Sequence, residues 1–315
     1  MIMSTVLFID SVHPVLSDDL TNAGYSCVLN ESDTAEMLSH AYPQTVGLVV
    51  RSRWVIDLHI LGLFPNLRWI ARSGSGLENI DLEKCRENNV VVFSSPEGNS
   101  DAVGDHVLGM CLAMTRKLIP AHHSVTQHQW LREEHRGIEI KGKTFAIIGL
   151  GHMGKAVATR LSAMGCTLIA HDTGMEESPL PFVKLCALDR VFDEADFVSI
   201  HLPLAPENKY YANGSFFNSF KKPIYFINTA RGQHCATGDL LEALNSGKVN
   251  AAALDVLEFE SSQLKVEGVN HPDFQALLQH PKVILTPHVA GWTVESYFKL
   301  SKVLSEKILR EFPNP

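Results

Sequence analysis

Apolar and polar positions alternate in two rhythms along this chain. In the first block, short apolar runs at 5–10, 25–29, 45–51, 67–71 and 90–94 read as buried strands. Helical spacing fills stretches between them, at 18–23, 34–40 and 82–88. From 99 to 119 the rhythm changes. Val103, Val107, Leu108, Cys111, Leu112 and Met114 recur at helical spacing, which predicts one long apolar-faced helix. A second alternating block has strands expected at 144–148, 167–171, 197–201, 223–228, 250–255 and 283–286, then an amphipathic helix at 293–309. Strands alternating with helices predict parallel sheets covered on both faces.

The pattern implies two α/β domains joined by the long helix. A nucleotide fingerprint sits mid-chain, so the closing helix is expected to return to the first block. That divides the chain into a discontinuous domain, 1–98 with 291–315, and a continuous one, 99–290.

Composition adds mainly exclusions. The 315 residues are 45% hydrophobic and 20% charged, enough to bury sizeable cores. A net charge of -8 gives no electrostatic footprint for nucleic acid or an anionic membrane, although a local basic pocket stays open. No apolar run approaches the ~18 residues of a membrane span, and the N-terminus reads as a strand without signal-peptide character. The six cysteines are scattered and form no C-x-x-C pair, which fits a reducing cytoplasm. Cytoplasmic localisation is therefore expected. At Cys235, close to the chemistry argued below, a reactive thiol and a core filler are both open, the filler being favoured.

The strand at 144–148 runs into Gly149-Leu150-Gly151-His152-Met153-Gly154 and then a helical pattern. This is G-x-G-x-x-G between strand and helix. The glycines serve a tight turn, close approach to a pyrophosphate and helix–strand packing, and the helix N-terminus offers free N–H groups to phosphate. Alone the pattern is weak. Asp172, at the end of the next strand, can accept from both ribose hydroxyls of NAD and would repel the extra phosphate of NADP. Glu176 and Glu177 add negative charge where an NADP pocket would place an arginine. NAD is the expected cofactor.

Three further segments fall at the C-terminal ends of expected strands, where open α/β sheets bind ligands. They are Asn228-Thr229-Ala230-Arg231-Gly232, Asp255 to Glu260, and Thr286-Pro287-His288. Singly, such an arginine is usually a surface charge and such a histidine a satisfied neighbour. Together, downstream of a fingerprint, a cation, carboxylates and an imidazole point to catalysis. His122, His123 and His128 lack metal-ligand spacing and no H-E-x-x-H occurs, so no metal site is expected.

These segments, in this order and spacing, resemble the D-isomer-specific 2-hydroxyacid dehydrogenases over nearly the whole chain. Gly137-Ile138-Glu139-Ile140-Lys141-Gly142-Lys143 and His201-Leu202-Pro203 add to the match. The resemblance implies a Rossmann-type dinucleotide-binding domain and a flavodoxin-like α/β substrate domain with a cleft between them. It implies that Arg231 binds the substrate carboxylate and polarises the 2-oxo group, a task suited to a planar, permanently charged fork. It gives His288 the proton transfer and Glu260 the pairing that fixes the imidazole tautomer and raises its pKa. Asp255 would accept from the nicotinamide carboxamide. His152, Met153, His201, Pro203, Thr229 and Ala230 would line the cofactor, with Val103 near the nicotinamide.

On the substrate side, the glycines of Arg72-Ser73-Gly74-Ser75-Gly76 can expose successive N–H groups as an anion nest. The family's matching loop holds the substrate carboxylate, which nominates Ser75 and Gly76. Glu78 stands where Asp is usual. Arg51 and Arg53 close the third strand. In extended chain both would point to one side and could grip one anion. The Arg-Ser-Arg run resembles that of the 3-phosphoglycerate dehydrogenases, where it faces the distal phosphate, while surface charge is an equal alternative. Asn99 or Asp101 is a candidate cap for the long helix, with Gly104-Asp105 where Ala-Glu is usual. Asn208 replaces a usual Thr, and the stretch 261–279 is longer than common and shows no evident strand.

The expectation is thus an NAD-dependent D-2-hydroxyacid dehydrogenase acting on a small 2-hydroxy or 2-oxo acid. A phosphorylated substrate and 3-phosphoglycerate dehydrogenase activity, in serine biosynthesis, follow from the arginine pair. The alternatives are a glyoxylate or hydroxypyruvate reductase and, from another class, an NAD-sensing corepressor-like protein. The chain stops soon after the closing helix, so a C-terminal regulatory domain and serine feedback through one are not expected. The resemblance carries a homodimer, with the 99–119 helix as the contact.

Overall fold

The computed structural model of the chain describes residues 4–261 and 266–313. In chain order its elements begin with β1 (Thr5–Phe8), α1 (Val15–Asn22), β2 (Ser26–Leu29), α2 (Ala35–Ala41), β3 (Thr45–Val50), α3 (Leu58–Leu63), β4 (Trp69–Arg72), α4 (Leu82–Glu87) and β5 (Val91–Ser94). Next come α5 (Pro96–Thr115), α6 (Leu118–Thr126), β6 (Thr144–Ile148), α7 (His152–Ala163), β7 (Thr167–His171), β8 (Val183–Leu185), α8 (Leu188–Glu194) and β9 (Phe197–Ile200). The chain continues through α9 (Gly214–Ser219), β10 (Ile224–Asn228), α10 (Thr237–Asn245), β11 (Val249–Leu254), α11 (Pro272–Gln279), β12 (Val283–Leu285) and α12 (Val294–Glu311).

Two compact units result. One comprises the described residues up to 99 and from 292 onward, the other Ser100–Ser261 and 266–291. The first unit holds a five-stranded parallel sheet in the order β2-β1-β3-β4-β5, the flavodoxin-like arrangement. Leu7, Leu48 and Ile70 fill one face, and Val6, Val49, Trp69 and Leu304 the other. The closing helix α12 covers this second face. Its start is fixed by a capping box between Thr293 and Ser296. Lys302 Nζ and Ser305 Oγ both reach Asp19 Oδ2 on α1, at 2.9 and 2.6 Å.

The second unit holds a seven-stranded parallel sheet ordered β12-β11-β10-β9-β6-β7-β8. This is the doubly wound Rossmann order, and its switch point lies between β6 and β9. The strands read as unbroken apolar runs because both faces are covered. Phe145 on β6, Phe197 on β9 and Tyr225 on β10 stack across three neighbouring strands, at 4.2 and 4.7 Å between ring centroids.

Two local expectations are corrected. The single helix over 99–119 is two helices. α5 starts earlier, at Pro96, because proline's fixed φ suits a first turn. It stops at Thr115, and Lys117 takes a left-handed φ of 50° before α6. Asn99 and Asp101 consequently lie inside α5 and do not cap it; Asp101 instead accepts from Arg160 Nη2 at 3.2 Å. In the 261–279 stretch, residues 262–265 lie outside the described residues, and the rest ends in α11 with Pro272 in its first turn.

Candidate active site

Three neighbouring strands end in register. Asn228 pairs with Leu254, and Leu254 with Leu285. The segments carrying Arg231, Asp255 with Glu260, and His288 therefore leave the second unit's sheet from the same edge. Gly232 brings two of them into contact. A Cβ on it would overlap the backbone of Leu257 and Glu258, so Arg231's turn packs directly against the segment that ends at Glu260.

Glu260 is largely buried and held from two sides. Oε1 accepts from the Leu257 amide, and Oε2 lies 2.7 Å from His288 Nδ1. A carboxylate only accepts, so the proton of this bond sits on Nδ1. Nε2 is then the ring nitrogen that can exchange a proton with a substrate.

The His288 backbone is itself unusual. Its φ is +55°, in the left-handed region that side chains other than glycine rarely adopt. Asp255 holds it there. The Asp255 carbonyl accepts from His288 N–H at 2.8 Å. Its carboxylate accepts from Val289 N–H at 2.9 Å, from Ala290 N–H at 2.7 Å and from the Thr286 hydroxyl. Asp255 is 1% exposed, so this clamp is shielded from water.

Arg231 is half-buried, and Asn228 shapes its turn. Asn228 Oδ1 accepts from Ala230 N–H at 3.1 Å, and Nδ2 donates to the Arg231 carbonyl at 2.9 Å. Asn228, Gly232 and Thr286 stand in the strand-end segments named from sequence, but the sequence assigned them no role of their own.

At the switch point, Gly149 N–H donates to the His171 carbonyl at 2.9 Å and closes the β6 turn. A Cβ on Gly154 would overlap the Gly149 carbonyl oxygen, whereas the space beside Gly151 is open. The N-cap of α7 has no side-chain bond, leaving the first-turn amides at His152 and Met153 exposed to a ligand. Asp172 accepts from Leu150 N–H at 2.7 Å and Gly174 N–H at 2.9 Å, one on each oxygen. It braces the glycine turn while keeping lone pairs for hydroxyl donors. Thr229 Oγ1 is buried without a hydrogen-bond partner among the described residues. Ala230 and Val103 are buried beside it in sequence and in the unit's core respectively.

His201 Nε2 lies 2.9 Å from Ser199 Oγ, and burial pushes its pKa down to about 4, so it is neutral at physiological pH. The Pro203 carbonyl accepts from Asn208 Nδ2 at 3.0 Å and pairs with His234 Nε2 at 3.1 Å. Asn208 thus ties down the turn that follows β9. Burial raises the Cys235 thiol far above the range of a reactive thiolate, which makes it a filler of the core.

In the first unit, the Ser75 and Gly76 amides donate to no acceptor among the described residues. The arginine pair departs from expectation. β3 ends at Val50, so the extended geometry that would align Arg51 with Arg53 is gone. Arg53 turns inward, and its guanidinium donates to the carbonyls of Ile9 and Asn30 at 3.2 and 3.1 Å and to that of Asp33. Arg51 instead lies over the Trp292 ring, 4.4 Å from its centroid. The two do not form a shared grip. Among the described residues no group of His, Cys, Asp or Glu is arranged to hold a metal.

Residues 108–290 match the NAD binding domain of the D-isomer specific 2-hydroxyacid dehydrogenases. The chain belongs to this family. A hydroxypyruvate reductase of Thermotoga maritima is 34% identical over 284 residues, 90% of each chain. A D-3-phosphoglycerate dehydrogenase of Archaeoglobus fulgidus is 31% identical over 306 residues, covering 96% of this chain and 56% of the relative. The chain spans about half the length of the phosphoglycerate dehydrogenases it matches. Among solved structures, the TT0316 protein of Thermus thermophilus superposes with a TM-score of 0.82 at 28% identity, over 97% of this chain and 96% of that one. A D-lactate dehydrogenase of Aquifex aeolicus, solved with NAD and lactic acid, shares the fold at a TM-score of 0.84 and 23% identity, over 98% and 95%.

Within this family the chain is an oxidoreductase acting on CH–OH groups with NAD(H). The local structure fits that cofactor. The uncapped α7 amides, the open space beside Gly151, the Asp172 carboxylate and the unpartnered Thr229 hydroxyl offer donors and acceptors where a dinucleotide carries its phosphates and hydroxyls.

Proposed function

We propose that the chain catalyses reduction of a short, unphosphorylated 2-oxo acid of the hydroxypyruvate or glyoxylate type, and the reverse oxidation. The observation that carries the reading is the 2.7 Å contact between His288 Nδ1 and Glu260 Oε2, on the same strand edge as Arg231. The bound nicotinamide supplies or takes the hydride. Arg231 pairs with the substrate carboxylate and draws electron density towards the 2-oxo oxygen. His288 Nε2 delivers the proton to that oxygen on reduction and removes it on oxidation, while Glu260 stabilises the imidazolium. Asp255, expected to accept from the nicotinamide carboxamide, is buried and its carboxylate is taken up by the His288 turn, so in this reading it acts through that turn. The Ser75 and Gly76 amides are the first unit's candidate donors to a carboxylate. Asp172 supports NAD over NADP.

The unphosphorylated reading rests on Arg53, whose guanidinium is committed to three carbonyls. A second reading, oxidation of 3-phosphoglycerate, is favoured by Arg51, the one arginine of the pair whose guanidinium is not tied to backbone carbonyls. A steady-state panel decides between them: hydroxypyruvate, glyoxylate and pyruvate with NADH and NADPH, and 3-phosphoglycerate with NAD. Best turnover with hydroxypyruvate or glyoxylate supports the first reading, and a clear preference for 3-phosphoglycerate replaces it with the second. Turnover that survives His288→Ala and Arg231→Ala would remove the catalytic assignment. We also propose a homodimer, in keeping with the exposed Leu118 and Ile119 at the start of α6, to be measured by sedimentation.

A further inference from the structure

His106 on α5 meets the clamp that holds His288. Its Nε2 lies 3.0 Å from Thr286 Oγ1 and 3.6 Å from Asp255 Oδ1. The Thr286 hydroxyl bonds the same Asp255 oxygen. The Asp255 carboxylate only accepts, so the hydroxyl hydrogen points to Asp255 and the hydroxyl lone pair faces His106. His106 must therefore carry its proton on Nε2. The three side chains form one directed series, His106 to Thr286 to Asp255.

The series ends on the carboxylate that receives the amides of Val289 and Ala290, while the Asp255 carbonyl receives that of His288. Three consecutive amides are thus tied to one residue. A left-handed conformation is unfavourable for a non-glycine residue and persists only when its surroundings over-determine it. Thr286 and Asp255 supply that determination directly, and His106 orients Thr286. A side chain that merely filled the space beside Thr286 would need no nitrogen there.

We infer that His106 is a positioning residue: through Thr286 and Asp255 it fixes the backbone at His288, and with it the direction in which the catalytic imidazole presents Nε2. This rests on the proposed role of His288. The test compares His106→Leu with His106→Gln in the full chain, using glyoxylate reduction by NADH. His106→Leu is expected to lower kcat about tenfold with KM for glyoxylate within about twofold, and His106→Gln, which keeps an N–H donor, to recover most of the loss. Independently of any substrate, the low-field proton NMR signal of His288 Nδ1–H should shift or broaden in the Leu variant and be restored in the Gln variant.

A Leu variant with unchanged kcat and an unchanged His288 signal overturns the inference, as does a folded Gln variant no better than Leu. Should His106→Leu fail to fold, Thr286→Val and Thr286→Ser carry the same comparison: loss with Val and recovery with Ser support the series, and equal behaviour overturns it. His288→Ala separates the two levels. If it abolishes turnover while His106→Leu is silent, only the inference falls; if turnover survives His288→Ala, the catalytic reading falls.

Discussion

Gly232 lies against Leu257 with no room for a single carbon between them. The contact joins the turn that carries Arg231 to the amide that holds Glu260, since Leu257 N–H donates to Glu260 Oε1. Gly232→Ala should therefore separate the cation from the acid–imidazole pair. We expect kcat/KM to fall at least about tenfold, with a loss of stability of ~1–3 kcal/mol typical of overpacking. Steady-state kinetics and denaturant unfolding of the same preparation measure both. An Ala variant with full activity would show the contact to be dispensable.

Glu260→Gln tests the acid–imidazole pair more gently. The amide can still accept from Leu257 N–H, but it cannot stabilise an imidazolium as a carboxylate does. A fall in kcat of about 10- to 100-fold is expected, against 10²- to 10⁴-fold for His288→Ala. An unchanged kcat in Glu260→Gln would mean that Glu260 holds the ring and contributes nothing further.

The two arginines should separate cleanly. Arg53→Ala removes donors from the carbonyls of Ile9, Asn30 and Asp33 and should destabilise the first unit by about 2 kcal/mol or more. Arg51→Ala removes one cation–π contact, worth ~0.5–1 kcal/mol at an exposed site. Urea unfolding of both variants gives the comparison. If Arg51→Ala raises KM for 3-phosphoglycerate and leaves KM for glyoxylate alone, the phosphorylated substrate gains the case.

His201 makes stability depend on acid. The residue is half-buried with its ring enclosed, and its pKa falls from 6.5 to about 4. Below about pH 6.5 the unfolded chain binds a proton that the folded chain refuses, so this contribution lowers stability as pH falls. The loss should grow down to about pH 4 and then level off. His201→Gln removes the titration, and its unfolding midpoint should decline less than that of the parent over pH 7 to 4. Parallel curves would show that the ring is not enclosed in solution.

Asp172 should set cofactor choice. Replacing it with Ser removes the charge that opposes a 2′-phosphate and shortens the brace on Leu150 and Gly174. The NADH-to-NADPH ratio of kcat/KM should move towards NADPH by about tenfold. No movement would place the ribose elsewhere.

Most of the architecture was legible because long apolar runs leave little choice. β6 and β7 are bounded in sequence by Lys143 and Gly149, and by Cys166 and Asp172, and they fall where periodicity puts them. Short elements were not legible. α3 is six residues long and depends on an Asp57 cap, and the three residues of β8 carry no periodicity to detect. The break at Lys117 needed a left-handed residue that sequence did not mark; Pro120 inside the next first turn was the available signal.

In the candidate site the legible residues were those whose chemistry is unusual for their place, Arg231, Glu260 and His288, of which the structure pairs the last two. Its supports were not. Asn228, Gly232, Thr286 and His106 work through backbone geometry and through partners up to 180 residues away, which no local pattern encodes. The arginine pair failed for a related reason. Alternation of side chains requires a strand, and β3 had already ended.

The seating of α12 on α1 has a consequence for biogenesis. A ribosome emits the strands of the first unit long before it emits Leu304 and Ile308, which complete that unit's apolar face. The seven-stranded unit, by contrast, is contiguous between those two events and can close on itself first. During synthesis these earlier strands must therefore wait, with one greasy surface uncovered, for a helix made about two hundred residues later.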